Sequence, residues 1–241
     1  MSARVAGDTL HLRPHAAVAE RVLLPGDPGR AMRIAQLLLD GPRMLNHNRG
    51  LWGYTGVAAD GELLTVQSTG MGGPSAAIVC EELLRLGARR LVRVGTCGAL
   101  ADGLRLGELV LARAAMARDG ASRALGAGET VAPDPALHAA LRAGAPEAGE
   151  GRVVSSDLFY DPDEDRAARW AAAGALAVEM EAATVFQVAA RAGAAAACVL
   201  AVTDVVATRE RIDGDGLEAA EAALARAGAA AVGAAATPAR G

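Results

Sequence analysis

Short apolar runs that end in glycine or a polar residue recur along this chain, separated by stretches of helical character. Arg21–Leu24 runs into Pro25-Gly26-Asp27-Pro28-Gly29-Arg30, and Arg89–Val94 runs into Gly95-Thr96-Cys97-Gly98. Glu108–Ala112, Arg152–Ser155, Ala175–Val178 and Ala195–Thr203 read as further strands. Between them, helices are expected at about Ala31–Leu39, from Pro74 to Leu86, near Pro135–Ala143 with Gly144 as its C-terminal cap, at Pro162–Ala173 and at Glu179–Ala192. A polar loop from Asp204 to Gly214 precedes an alanine-rich terminal helix. Strands alternating with helices imply a mostly parallel or mixed sheet covered by helices on both faces. One hairpin is expected where Leu51–Ala58 and Glu62–Gln67 flank Ala59-Asp60-Gly61. No repeat and no linker divides the 241 residues, so a single α/β domain is expected, with frayed ends at about 1–10 and 237–241.

Composition narrows the chemistry. Hydrophobic residues make up 52% of the chain but aromatics only 2%, so the core must be built from Ala, Val and Leu packed closely. All 24 basic residues are arginine. Without lysine there is no Schiff base and no P-loop lysine, and a bound phosphate must be held by arginine forks, hydroxyls and backbone N–H groups. A net charge of −4 with scattered arginines argues against nucleic acid as a partner. Cys80, Cys97 and Cys198 form no CxxC pair and read as reduced thiols of a cytoplasmic protein. Neither a signal peptide nor a membrane span is expected. His11, His15, His47 and His138 have no ligand spacing with Cys or carboxylates, so no metal is implied.

Polar residues concentrate at the ends of the expected strands, where open α/β sheets bind ligands. Arg30 stands where a helix begins, an anion-friendly position, or is simply a solvated arginine of a strand-to-helix turn. Arg49 precedes a glycine-punctuated hairpin and is a phosphate fork or a surface charge. Gly70-Met71-Gly72-Gly73-Pro74-Ser75 supplies backbone N–H groups at a helix start but is not a dinucleotide fingerprint. Arg93 lies inside an apolar strand, where an unpaired guanidinium is costly to bury. It either faces water from an edge strand or binds an anion. Glu179 reads as a charge favoured by a helix N-terminus. Asp204 ends a very apolar strand, as an N-cap or turn residue or as a functional carboxylate.

Six segments in order, LLPGDPGRA, NRGLWGYTG, TGMGGPSAAI, VRVGTCGAL, SSDLFY and VEMEAATVF, resemble the hexameric, bacterial-type purine nucleoside phosphorylases, relatives of the uridine phosphorylases. The resemblance runs from about His11 to Asp204. It implies one α/β domain whose central mixed sheet is partly barrel-like, flanked by helices. It also implies a homo-hexamer, a trimer of dimers with sites shared between subunits.

By the same resemblance, Gly26, Arg30, Arg93 and Thr96 form the phosphate site, and Arg49 reaches it from the neighbouring subunit. His11 is similar to the partner-subunit histidine at the ribose 5′-hydroxyl; His15 sits further along. Met180 and Glu181 match the ribose contacts, Phe159 and Val178 the faces against the base. Asp204 matches the acid beside purine N7, with Thr203 where serine is commoner. The implied activity is phosphorolysis of purine (deoxy)ribonucleosides, with inorganic phosphate as co-substrate and no cofactor. The family often places an arginine beside this aspartate in the following helix; Arg209 and Arg211 are the choices here. Aspartate at 204 implies tolerance of 6-aminopurines as well as 6-oxopurines. The rival readings are a uridine phosphorylase, which normally has a Gln/Arg pair and a serine where Ala182 stands, a water-using nucleosidase, and a non-catalytic nucleoside-binding module.

Overall fold

The central strands bury both faces, which is why their apolar runs lack a polar alternation. The computed structural model describes residues 9–234. The first part of the chain forms β1 (Arg21–Leu24), α1 (Pro28–Leu38), β2 (Asp40–Asn46), β3 (Gly53–Val57), β4 (Leu63–Gln67) and α2 (Gly73–Arg85). The middle forms β5 (Arg90–Ala99), β6 (Leu109–Arg118), α3 (Gly120–Ala124), β7 (Thr130–Val131), α4 (Pro135–Gly144) and β8 (Gly149–Ser156). The last part forms α5 (Arg166–Ala172), β9 (Ala175–Glu179), α6 (Ala182–Arg191), β10 (Ala195–Val205), β11 (Glu210–Arg211) and α7 (Gly214–Ala234). Among the described residues no helix is long and apolar enough to cross a membrane.

All the strands belong to one mixed sheet of eleven. β10 pairs with both β6 and β5, and the pairs β6–β8, β8–β9 and β9–β5 complete a closed ring of five strands. From β5 the sheet continues through β1 and β4 to the expected hairpin of β3 and β4, and on to β2. A ring this small leaves little room inside, because barrel diameter grows with strand number. Alanine-rich strands suit it: β10 reads AAACVLAVTDV and β6 reads LVLARAAMAR.

Period-two alternation sends successive side chains to opposite layers. In β10, Ala196, Cys198, Leu200 and Val202 join one core, which includes Val79, Leu83 and Phe186 of α2 and α6. Ala195, Ala197, Val199 and Ala201 join the other, with Ile34, Leu141 and Leu224 of α1, α4 and α7. Helices therefore cover both faces, as expected. Cys80, Cys97 and Cys198 are free and buried, and burial pushes the Cys80 thiol up to about 12.

Several boundaries differ from the sequence reading. α1 begins at Pro28 because the Asp27 carboxylate accepts from the Arg30 N–H at 2.6 Å and caps it. β2 was not expected: most of DGPRMLN is exposed and shows no alternation, and it is a strand only through pairing with β3. β5 and β6 run on to Ala99 and Arg118, α5 starts only at Arg166, and α6 starts only at Ala182. α4 runs through Gly144, and Ala145 is its cap. Of the ends expected to fray, 1–8 and 237–241 fall outside the described residues. Positions 9 and 10 do not hang free: the Thr9 hydroxyl donates to the Leu12 carbonyl, and the Leu10 N–H to Glu82.

Two predictions follow from this packing. Phe186 is the bulkiest fully buried side chain and stands among alanines too small to collapse into its place. Phe186→Ala is expected to lower stability by about 3–5 kcal/mol, read as a lower denaturant midpoint at unchanged slope. Glu82 of α2 gathers the N–H groups of Leu10, His11 and Leu12 and stands 2.8 Å from His11 Nδ1. Burial pushes its carboxyl up, but these donors outweigh burial and hold it below the usual glutamate range. A folded carboxyl that ionises at lower pH than the unfolded one contributes fully above the unfolded value, and loses that contribution as pH falls through its own. Amide protection at Leu10–Leu12 should therefore fall at pH below about 4 while the α2 interior stays protected. Glu82→Gln should show the loss already at neutral pH.

Candidate active site

β1, β5 and β10 run parallel and β9 runs antiparallel beside β5, so the expected residues Arg93, Thr96, Val178 and Asp204 lie on neighbouring strands. Alternation in β5 puts Arg93 in the layer of Leu91 and Cys97, facing α6. β5 is paired on both sides, with β1, β9 and β10, so the edge-strand reading of Arg93 is wrong. The guanidinium is buried. Its Nε donates to Glu179 Oε2 at 2.8 Å, its Nη2 donates to Glu181, and its Nη1 has no partner. Burial alone would depress the Arg93 pKa; Glu181 and Glu179 outweigh it and keep the group charged.

Glu179 closes β9 and is enclosed by donors. The N–H groups of Glu181 and Ala182 reach it at 2.9 Å, as the reading of a charge at a helix start requires. The Ser155 hydroxyl donates to it at 2.5 Å, and Arg93 adds a bond the sequence gave no sign of. Burial pushes the Glu179 carboxyl up, and Arg93 opposes the shift. Glu181 Oε1 accepts from the Gly72 N–H at 2.6 Å, which ties the glycine-rich loop to the start of α6. Met180 borders the same loop: a Cβ added at Gly72 would lie 4.0 Å from its Cε.

Gly26 stands next to this loop, its carbonyl accepting from the Gly70 N–H at 3.0 Å. Thr96 is partly exposed on β5, three residues beyond Arg93. Gly95 and Gly98 are glycine because neighbours occupy the space of a side chain. A Cβ at Gly95 would fall 2.8 Å from Arg93 Cζ, and one at Gly98 would fall 2.8 Å from Asp204 Oδ2. In register, Gly98 faces Asp204 on one side and Val178 on the other, so Asp204 and Val178 flank the same glycine. Thr203 Oγ1 stands 3.2 Å from Asp204 Oδ1 and 3.4 Å from the Cys97 carbonyl, and its single proton serves one of them. β11 sets Arg211 directly across from Asp204, while Arg209 lies in the turn before it with φ 61°. Both arginines precede α7, outside the helix where the expected one belongs, and neither is ion-paired with Asp204 among the described residues.

The remaining candidates stand apart. Arg30 is partly buried rather than a free surface charge: its Nε donates to Glu221 Oε1 of α7 at 2.8 Å. Arg49 is exposed in a 3-10 turn at Asn48–Gly50 with a left-handed backbone of φ 57°, and it has no ion pair among the described residues. Such a conformation in a non-glycine residue costs of order 1–3 kcal/mol. His11 is held against Glu82 through Nδ1, and Phe159 is exposed in the loop after β8, its ring edge-to-face with Tyr160 at 5.0 Å. Glu179 and Glu221 are the residues that sequence reasoning missed as site partners. Glu179 was visible only as a helix-start charge, with nothing in the sequence to link it to Arg93; Glu221 gave no signal within an alanine-rich helix.

Residues 20–236 match the family model described as the phosphorylase superfamily. A curated relative from Geobacillus kaustophilus, named a purine nucleoside phosphorylase DeoD-type, is 41% identical over 202 residues, covering 80% of this chain and 84% of that protein. One of the same name from Clostridium beijerinckii is 38% identical over 205 residues, covering 82% and 86%. Among solved structures, a uridine phosphorylase from Vibrio fischeri superposes with a TM-score of 0.80 at 30% identity, covering 89% of this chain and 90% of that one. With the match spanning nearly the whole sheet and all four of these strands, the chain belongs to the phosphorylase superfamily.

Proposed function

We propose that this chain is a purine nucleoside phosphorylase, which splits purine ribo- or deoxyribonucleosides with inorganic phosphate into free base and (deoxy)ribose 1-phosphate. The observation that carries the reading is the buried Arg93 guanidinium, held by Glu179 and Glu181 with Nη1 unpaired, on the same strand whose Gly98 faces Asp204. In this reading Arg93 is the anion-binding group, Glu181 the carboxylate for the sugar hydroxyls and Asp204 the carboxyl for the base. The purine-named relatives at 38–41% identity support the same substrate class.

In this reading phosphate lies beneath C1′, held by Gly26, Arg30, Arg93, Thr96 and Arg49 of a neighbouring subunit. A phosphate oxygen forms the new bond to C1′ as the bond from C1′ to purine N9 breaks. Positive charge grows on the sugar and negative charge on the base, so the adjacent anion stabilises the transition state as well as attacking it. Glu181, with Met180 beside it, accepts from the 2′- and 3′-hydroxyls. Asp204 enters protonated and donates to N7, so that the purine leaves neutral; such help is worth about 10²- to 10⁴-fold. Phe159, Val178 and Thr203 border the base. If His11 Nδ1 donates to Glu82, its Nε2 is free to accept from the 5′-hydroxyl of a nucleoside in the adjoining subunit. These shared roles call for at least a dimer, and the resemblance extends it to a homo-hexamer built as a trimer of dimers. No metal or cofactor is needed, and the enzyme is cytoplasmic.

The uridine reading is the poorer fit. Ala182 stands at the start of α6 where the uridine enzymes resembled here carry serine. Gln187 is already engaged: its Nε2 donates to the Leu125 carbonyl at 3.1 Å. A water-using nucleosidase would leave Arg30 and Arg49 without a task.

The ultraviolet assay with inosine, adenosine and uridine, each with and without phosphate, tests the reading. Phosphate-dependent loss of the purine nucleosides is expected. Loss of uridine alone, cleavage without phosphate, or binding without turnover would each replace it. Asp204→Asn should lower turnover of adenosine by about 10²-fold or more; undiminished turnover would remove the general-acid role.

A further inference from the structure

Glu221 lies outside every role described so far, yet it is one of the most heavily bonded carboxylates of the protein. It is buried on α7, and its oxygens accept from Arg30 Nε at 2.8 Å, Arg33 Nε at 2.8 Å and Arg33 Nη2 at 2.9 Å. Burial alone would raise this carboxyl, but the two arginines outweigh burial and hold it below the usual range. Removing either arginine bond would therefore leave a poorly compensated buried charge.

The geometry of the bond to Arg30 is one-sided. Glu221 takes the Nε–H, and the terminal nitrogens Nη1 and Nη2 of Arg30 have no partner among the described residues. A guanidinium presents its five N–H donors in a fixed fork, so fixing the Nε edge also fixes where the outer edge points. Arg33 shares the same carboxylate, so Glu221 orients Arg30 without cancelling its charge. Asp27 is exposed and stands 3.8 Å from Arg33, and Glu218 also acts on Arg33, while neither is bonded to Arg30 through its side chain's nitrogens.

Glu221 is also on the right part of α7. Ile212, just before the helix, donates its N–H to the Thr203 carbonyl, so α7 starts at the carboxyl end of β10. Further on, Gly228 lies against Val94 of β5 and Leu23 of β1, where an added Cβ would fall 2.7 Å and 3.1 Å from their side chains. Seven residues separate Glu221 from Gly228, which puts both on one face with Glu221 about 10 Å nearer the helix start. That displacement carries Glu221 from the level of Leu23 past the end of β1 toward Gly26, on the face of the sheet that α7 covers, with Arg93 on the opposite face of β5.

We propose that Glu221 is a positioning residue of the phosphate site: it grips Arg30 by its Nε edge, aims Nη1 and Nη2 at the co-substrate, and leaves charge neutralisation to Arg33. The inference rests on the phosphate role given to Arg30 above. A purely structural tether between α1 and α7 makes a different prediction, because it moves stability without separating the two substrates.

The test is steady-state kinetics with inosine and varied phosphate, alongside the rise in melting temperature caused by inorganic phosphate, for the wild type, Glu221→Gln and Arg33→Gln. Charge alone says that Glu221→Gln should bind phosphate better, since a negative charge is removed. The positioning role requires the opposite: a KM for phosphate raised about tenfold, with the KM for inosine at saturating phosphate changed less than twofold. Arg33 is half-exposed, so Arg33→Gln is expected to fold, and it should raise the phosphate KM several-fold as Glu221 comes to neutralise Arg30 alone. An unchanged or lower phosphate KM in folded Glu221→Gln, or an equal rise for both substrates, overturns the proposal. If Glu221→Gln does not fold, an unchanged phosphate KM in Arg33→Gln overturns it. The melting shift separates the two readings. Wild-type protein that is stabilised by phosphate but cleaves no nucleoside refutes phosphorolysis, and the clamp then stands or falls on whether the variants lose that stabilisation. Wild-type protein that neither consumes nor is stabilised by phosphate refutes the clamp.

Discussion

A guanidinium buried between two carboxylates holds the mouth of the strand ring together. Arg93 comes from β5, Glu179 from the end of β9 and Glu181 from the start of α6, and Glu181 in turn fixes the glycine-rich loop through the Gly72 N–H. Three stretches distant in sequence, at Gly72, Arg93 and 179–182, are therefore registered by one charge. Breaking such a buried pair by removing one partner costs about 3–5 kcal/mol, yet replacing the whole set with apolar residues is often neutral or stabilising. Stability alone is then a poor reason for an arginine in an otherwise alanine, valine and leucine strand. The unpaired Nη1 supplies a better one, because a buried donor left open is costly unless a ligand uses it.

Charge accounting shapes the rest of the cleft. Arg93 is matched by two carboxyl groups, Glu179 and Glu181, so its guanidinium brings a donor to the interior with little net positive charge. Such a cluster does not by itself neutralise a bound phosphate. The positive groups must come from elsewhere, and Arg30, steered by Glu221 and accompanied by Arg33, is the nearest supply on the same end of the sheet. Arg49 is the other, exposed and unpaired among the described residues. Glu181 meanwhile is tied through both oxygens, one to Gly72 and one to Arg93, so its remaining lone pairs are fixed in direction before any sugar hydroxyl approaches.

Much of this was legible in the sequence, for reasons that differ by element. β1, β5 and β10 could be read because burial on both faces makes an uninterrupted apolar run, and the hairpin of β3 and β4 because a turn signal stands between two such runs. β2 could not, since DGPRMLN is mostly exposed and owes its conformation to its neighbour β3. Arg93 was legible as an anomaly, but its partners were not: Glu179 looked like an ordinary helix-start charge, and it serves that purpose too. Glycine spacing in VRVGTCG carried more information than it seemed to, because Gly95 and Gly98 are the clearances for the Arg93 guanidinium and the Asp204 carboxylate. Glu221 was invisible because one acid among Asp215, Glu218 and Glu221 of an alanine-rich helix has nothing to single it out; only the packing of α7 against α1 brings it to Arg30.

The cleft is walled on one side only. Met71 is 86% exposed between Gly70 and Gly72, and Phe159 and Tyr160 are 63% and 89% exposed just beyond Ser156. Both segments adjoin residues that bond to the Arg93 cluster: Gly72 meets Glu181, and Ser155 meets Glu179. Large apolar side chains at the rim of a polar pocket are unfavourable in water unless something covers them. In the proposed reading a purine base covers Phe159 and the surface of a second subunit covers the outer rim. The left-handed backbone of Arg49 fits the same reading, since it holds a charged group outward at a conformational cost that the isolated chain does not recover. On that reading the ring of strands closes the inner wall, and the ligand and association supply the outer one.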